Sequence, residues 1–148
     1  MPEKIGAYCR ETGQSVPVKP GDFVRVILES LALAHAESLR QLEALTGQEI
    51  EVLHIVGRGA HNELLNQLTA DTTGLPVIAG PPDAAAIGNI LIQALALWHL
   101  KSPDHLRGVV ASSFPTQILK PGHGFEKKTR DKFRALGERL NVPQPLAA

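Results

Sequence analysis

The chain of 148 residues carries 15 Lys and Arg against 15 Asp and Glu, a formal net charge of zero, with 43% apolar residues. That length holds one domain with a real core. Neutrality argues against nucleic-acid and membrane-surface binding, which go with a basic excess.

The one cysteine, Cys9, excludes an internal disulfide. The longest apolar stretch, residues 90–98, is interrupted by Gln93 and falls short of the ~20 residues of a bilayer span. Met1 is followed by Pro2, Glu3 and Lys4, not by the apolar core of a signal peptide. The expectation is a cytoplasmic protein.

In chain order, residues 1–22 hold three prolines and three glycines and read as a loop-rich lead-in or a short helix fragment. Pro20-Gly21 is a turn signal, and Asp22 is placed to cap a long helix to about Thr46. Phe23, Val26, Ile27, Leu31 and Ala34 share one face of it at helical spacing, with Leu42 and Leu45 on the last turns. Gly47 is suited to end it. Residues 49–56 predict a strand, with 52–56 buried. Residues 62–73 predict a helix with Leu64, Leu65, Leu68 and Thr72 inward, ended by Gly74. Residues 76–79 predict a second strand, parallel to the first through a right-handed crossover.

After Gly80-Pro81-Pro82, Asp83 is expected to cap a helix through Trp98, with Ile87, Ile90, Leu91, Ala94 and Leu95 as its apolar face. Residues 101–124 read as loop-rich, with a short helix at 103–110. A last helix, 126–140, sets Thr129, Phe133, Leu136 and Leu140 on one face. Its other face carries Lys127, Lys128, Arg130, Lys132 and Arg134, a solvated surface. Residues 141–148 read as a flexible tail. The fold class is α/β, with a strand–helix–strand core and additional helices. Two strands alone leave unpaired edges. The chain is therefore either part of a larger α/β domain or completes its sheet with another copy or a partner.

Between the first strand and its helix lies Gly57-Arg58-Gly59-Ala60-His61-Asn62. Bare glycine backbone lets a phosphate or sugar approach, and a new helix end supplies free N–H donors. The same glycines also serve an ordinary strand-to-helix turn, and Asn62 an ordinary helix cap.

The six histidines show no metal-ligand spacing. His54 reads as a core residue of the strand, and His61 as a loop residue within reach of a nucleotide. Cys9 reads as a small packed residue. Asp71 reads as a surface or loop-organising residue, and no catalytic base or metal cluster stands out.

Several blocks then resemble the rhamnulokinases of the FGGY carbohydrate kinase family. They are Tyr8-Cys9-Arg10-Glu11-Thr12-Gly13-Gln14 with Val16-Pro17, and Ile27-Leu28-Glu29-Ser30-Leu31-Ala32-Leu33. Leu53-His54-Ile55-Val56-Gly57 follows, with Asn62 and Leu64-Leu65-Asn66-Gln67-Leu68-Thr69-Ala70-Asp71. Thr73-Gly74, Pro76-Val77-Ile78-Ala79-Gly80-Pro81 and Ile87-Gly88-Asn89 complete the set.

The resemblance implies part of a ribonuclease-H-like, actin-like ATPase domain. It implies the nucleotide side of an enzyme that phosphorylates the 1-hydroxyl of L-rhamnulose with ATP and Mg²⁺. The catalytic aspartate and sugar contacts of such enzymes lie upstream of the matched blocks, as do three antiparallel strands. Met1 is accordingly expected to be an internal start, and the chain to be inactive alone, its partner the missing kinase half or a second copy.

By the same resemblance, Gly57, Arg58, Gly59 and Asn62 line the nucleotide. Arg58 replaces the middle of three glycines. It is expected to weaken binding by blocking or straining the loop, although a guanidinium also pairs with phosphate. Asp83 stands where the family usually has glutamate. The alternatives are a non-catalytic interaction or scaffold module, and an unrelated phosphate-binding βαβ protein.

Overall fold

A computed structural model describes residues 1–139. Leu140 and the expected tail lie outside the described residues. The first residues form a helix, α1 (Pro2–Glu11), the second of the two forms expected and longer than a fragment. Proline fits its first turn because no N–H is needed there. The helix buries Gly6 and Cys9.

The long helix α2 (Pro20–Thr46) begins two residues before Asp22, which is not its cap. Lys19 holds the cap position, and Asp22 reaches back so that its Oδ2 accepts the Lys19 N–H at 2.9 Å. That is the returning half of a capping box. Gly47 ends the helix in the left-handed region, φ 66°, its N–H donating to Glu43 O at 2.8 Å. The apolar face is only partly used: Ala32 and Leu33 are buried, whereas Leu31, Leu42 and Leu45 are exposed.

Strand β1 (Leu53–Ile55) is shorter than expected. Helix α3 (Glu63–Thr73) and strand β2 (Val77–Ala79) follow, and β1 and β2 are parallel, with Leu53 opposite Val77 and Ile55 opposite Ala79. Then come α4 (Ala84–Ala96) and α5 (Pro103–Ser113).

A third strand, β3 (Gln117–Leu119), lies in the stretch expected to be loop. It runs antiparallel to β2, with Ala79 opposite Gln117, so the sheet is mixed, in the order β1-β2-β3. The last helix, α6 (Lys127–Arg139), closes the described chain. The fold is α/β, a small mixed sheet with helices.

The core is compact and built of small residues: Ala60, Ala70, Val77, Ala79 and Leu119, with Leu53 and Ile55 packed against it. α3 lies against β2 and β3, and α2 packs along α3. Two inward assignments are corrected. α3 buries Asn66, Thr69, Ala70 and Thr72 while Leu64 is exposed. His54 is exposed, its side chain alternating away from the core between Leu53 and Ile55. Thr69 is satisfied by His35 Nδ1 of α2, 3.1 Å from its hydroxyl.

α4 holds no buried residue. Ile90 is 65% exposed, and Ile92 and Leu97 are exposed beside it. Asp83 sits at its cap position without a side-chain hydrogen bond, correcting the expected cap. Trp98 follows in the left-handed region, φ 63°, 89% exposed.

On the far side α6 leans on α2, and a cleft of about 480 Å³ lies between them. None of residues 57–62 lines it. Glu37 spans it, held 2.6 Å from Arg40 and 3.4 Å from Arg134. The Arg40 hydrogen bond holds the Glu37 carboxyl below its ordinary range, against the opposing effect of partial burial. Among the described residues no helix is long and apolar enough to cross a membrane.

Candidate functional site at the carboxyl ends of the parallel strands

Parallel strands leave their ligands at their carboxyl ends, in the crevice formed by the loops that follow. Here two such loops meet. The Gly57 N–H donates to Pro81 O at 3.1 Å, and the Gly80 N–H donates to Ile55 O at 2.8 Å. The loop after β1 is thereby tied to the loop after β2. A side chain on Gly80 would meet Val56 Cγ1 at 3.1 Å, tighter than ordinary packing, so this glycine keeps the loops close.

The first loop is built around one special residue. Gly57 has φ 80° and ψ −167°, a conformation essentially confined to glycine. A single 3-10 turn, Arg58–His61, follows it. The Ala60 N–H donates to Gly57 O at 3.0 Å, and the Asn62 N–H to Gly59 O at 3.1 Å. Asn62 then caps α3, its Oδ1 accepting the Leu65 N–H at 3.0 Å. This meets one of the free donors of the first turn.

The four predicted site residues share this one loop, in different roles. Gly57 is half-buried and carries the backbone requirement. Gly59 is exposed, has no positive φ, and a side chain there would meet only Ile55 Cγ2 at 4.0 Å. Arg58 is exposed and has no positive φ either, so the strain expected of it is absent. With His61, also exposed, it stands on the 3-10 turn, next to Glu63 in the first turn of α3. Ala60 alone turns inward, into the core cluster.

Two contributors are missed by the sequence reading. One is the Gly80-Pro81-Pro82 loop, legible only as a turn, which braces Gly57. The other is Asn66, not named among the inward residues of α3 but fully buried, its Nδ2 donating to Ala60 O at 2.9 Å.

The strand, glycine turn and helix end could take an anionic, phosphate-bearing ligand through exposed backbone and a helix N-terminus. Among the described residues no group of three His, Cys, Asp or Glu side chains is placed to hold a metal ion.

Residues 1–97 match the FGGY family of carbohydrate kinases, C-terminal domain, and the chain belongs to that family. It is 45% identical to a rhamnulokinase of Bacteroides thetaiotaomicron over 82% of its length, covering 25% of that protein. It is 42% identical to a rhamnulokinase of Enterococcus faecalis over 96% of its length, covering 29% of it. A rhamnulokinase of Enterobacter sp. is 45% identical over the whole chain, which covers 30% of that protein. The chain thus spans between a quarter and a third of the curated relatives it matches.

Proposed function

We propose that this chain is the nucleotide-side C-terminal portion of a rhamnulokinase-like sugar kinase, within an actin-like, ribonuclease-H-like domain and in a cytoplasmic setting. In this reading Gly57, Arg58, Gly59 and Asn62 contribute to the cradle for Mg-ATP. The whole enzyme transfers the γ-phosphate to the 1-hydroxyl of L-rhamnulose. The observation that carries it is the exposed Gly57 turn at the carboxyl ends of two parallel strands, braced by the Pro81 carbonyl. The similarity to three rhamnulokinases supports the choice of sugar.

Phosphoryl transfer depends on positioning, metal ions and a residue that orients the attacking hydroxyl. These 148 residues supply nucleotide contacts and need further protein for the rest. By themselves they bind nucleotide without phosphorylating sugar.

The test is a calorimetric titration of Mg-ATP into the folded chain, with a phosphorylation assay on L-rhamnulose. Micromolar binding without turnover supports the reading. Absence of binding at millimolar nucleotide removes the cradle, and turnover by the isolated chain refutes its dependence on further protein.

One set of observations favours a second reading, an interaction module: Ile90, Ile92, Leu97 and Trp98 are exposed along and after α4, and β1 and β3 each end the sheet. Self-association or capture of a separately supplied kinase half, without nucleotide binding, would select it.

A further inference from the structure

Asn66 is fully buried, yet its polar atoms are not both satisfied. Nδ2 donates to Ala60 O at 2.9 Å, and Oδ1 is buried with no partner. A buried acceptor without a donor is costly, and such atoms are rare in native proteins. Asparagine inside a helix, here the fourth residue of α3, has no propensity advantage either. At a fully buried helical position, leucine would be the ordinary choice. The side chain therefore does something leucine cannot, and the geometry identifies it.

Ala60 is the inward-turning residue of the 3-10 turn, and its carbonyl is the atom that Asn66 holds. The Asn66 backbone N–H also donates to Asn62 O at 2.9 Å. One helical residue thus fastens the glycine loop at two points, and only one of them is backbone.

We propose that Asn66 is a positioning residue for the phosphate-side loop: its amide pins the Ala60 carbonyl and thereby holds the turn from Gly57 to Asn62 closed in the shape a nucleotide meets. The effect on nucleotide rests on the kinase reading above; the pin itself does not.

The test compares the 148-residue chain with Asn66→Leu, which removes both the pin and the unpartnered oxygen. Leucine is expected to leave the melting temperature nearly unchanged. The Ala60 and Asn62 amides, bonded within the turn, are expected to exchange with deuterium about tenfold faster, while β2 amides stay protected. Mg-ATP affinity is expected to fall about tenfold, the scale of one lost hydrogen bond.

Unchanged exchange at Ala60 and Asn62 in a folded Asn66→Leu chain overturns the proposal. Should that variant not fold, the unmodified chain decides: its Asn66 side-chain amide protons must be protected from solvent exchange, and protons exchanging at the rate of an exposed amide overturn it. If the unmodified chain binds no nucleotide, the kinase reading fails, while the exchange data still decide the pin.

Discussion

Asp71 Oδ1 accepts the backbone N–H of Gly122 at 2.8 Å, joining the last turn of α3 to the segment that follows β3. Gln67, one helical turn earlier, donates to the same oxygen at 2.7 Å and to Lys120 O at 3.0 Å. Gly124 crosses so close to the Asp71 carbonyl that no side chain fits there. The expected loop-organising role of Asp71 is what the structure shows.

Removing this clamp should free β3 while sparing the β1–β2 pair. Asp71→Ala is expected to destabilise the chain by about 0.5–1.5 kcal/mol, the net worth of a hydrogen bond whose donors, exposed on Gly122 and half-buried on Gln67, turn to water. Gly124→Ala should cost at least as much, because the obstacle is backbone. Chemical denaturation with deuterium exchange at residues 117–119 measures both. Unchanged protection of β3 in Asp71→Ala would show that strand pairing alone holds it.

The two glycines of the loop should respond differently. Gly57→Ala is expected to lose about 1–3 kcal/mol, because its backbone conformation is strained for any residue with a Cβ. The nearest atom to that Cβ, Pro82 O at 3.8 Å, is at ordinary contact, so the cost is conformational. Gly59→Ala should stay within about 0.5 kcal/mol of the parent. Thermal melts of the pair separate the two.

Arg58→Gly separates blocking from strain. Arg58 has no positive φ, so replacing it relieves nothing and costs roughly 0.5–1 kcal/mol of backbone entropy. Any tightening of Mg-ATP must then come from space cleared for the ligand. The expected result is a slightly lower melting temperature with higher affinity. Lower affinity instead would mean that the guanidinium pairs with phosphate.

Glu37 ties α2 to α6 and gives a pH-dependent contribution. Its pKa is depressed in the fold, chiefly by the Arg40 hydrogen bond. The stabilisation is therefore complete above the ordinary glutamate pKa and is lost as pH falls through the lower folded value. Glu37→Gln should lower stability by about 0.2–1 kcal/mol at neutral pH and less in high salt. The gap between parent and variant should close under strongly acidic conditions. A gap that persists there would assign the effect to packing in the cleft between α2 and α6.

Trp98 is the single tryptophan and stands 89% exposed beyond α4. Its emission should be water-like and readily quenched by acrylamide in the isolated chain. Any partner that covers the α4 face should shift it to the blue and protect it. A blue, protected emission in a monomeric chain would contradict the exposed placement.

The parts of this fold legible in the sequence are those set by local chemistry. Gly47 and Gly74 end their helices in left-handed conformations, and Asn62 caps α3. What escapes is set by distant partners. β3 has three residues, two of them exposed, and its strand character comes from pairing with β2. Periodicity marks Thr72 and the leucines of α3 as inward; Thr72 is buried, yet the helix also turns Asn66 and Thr69 to the core, each with a hydrogen bond no pattern announces. α4 has an apolar face that the described residues do not bury. At the site, the glycine turn is visible, whereas Asn66 and the Pro81 brace are not, because each acts on backbone across a fold still to be formed.

Ala79 and Gln117 stand opposite each other across β2 and β3. The chain therefore leaves the sheet and returns one strand spacing away, about 4.8 Å. Everything between is a detour with adjoining feet, and a tight hairpin spans the same gap. Such an excursion can be lengthened, trimmed or exchanged between relatives without shifting strand register, provided residues 80–82 remain to brace Gly57. The surface that carries the uncovered Ile90, Ile92, Leu97 and Trp98 is thus the part most open to replacement, while the glycine turn is bound to the sheet itself.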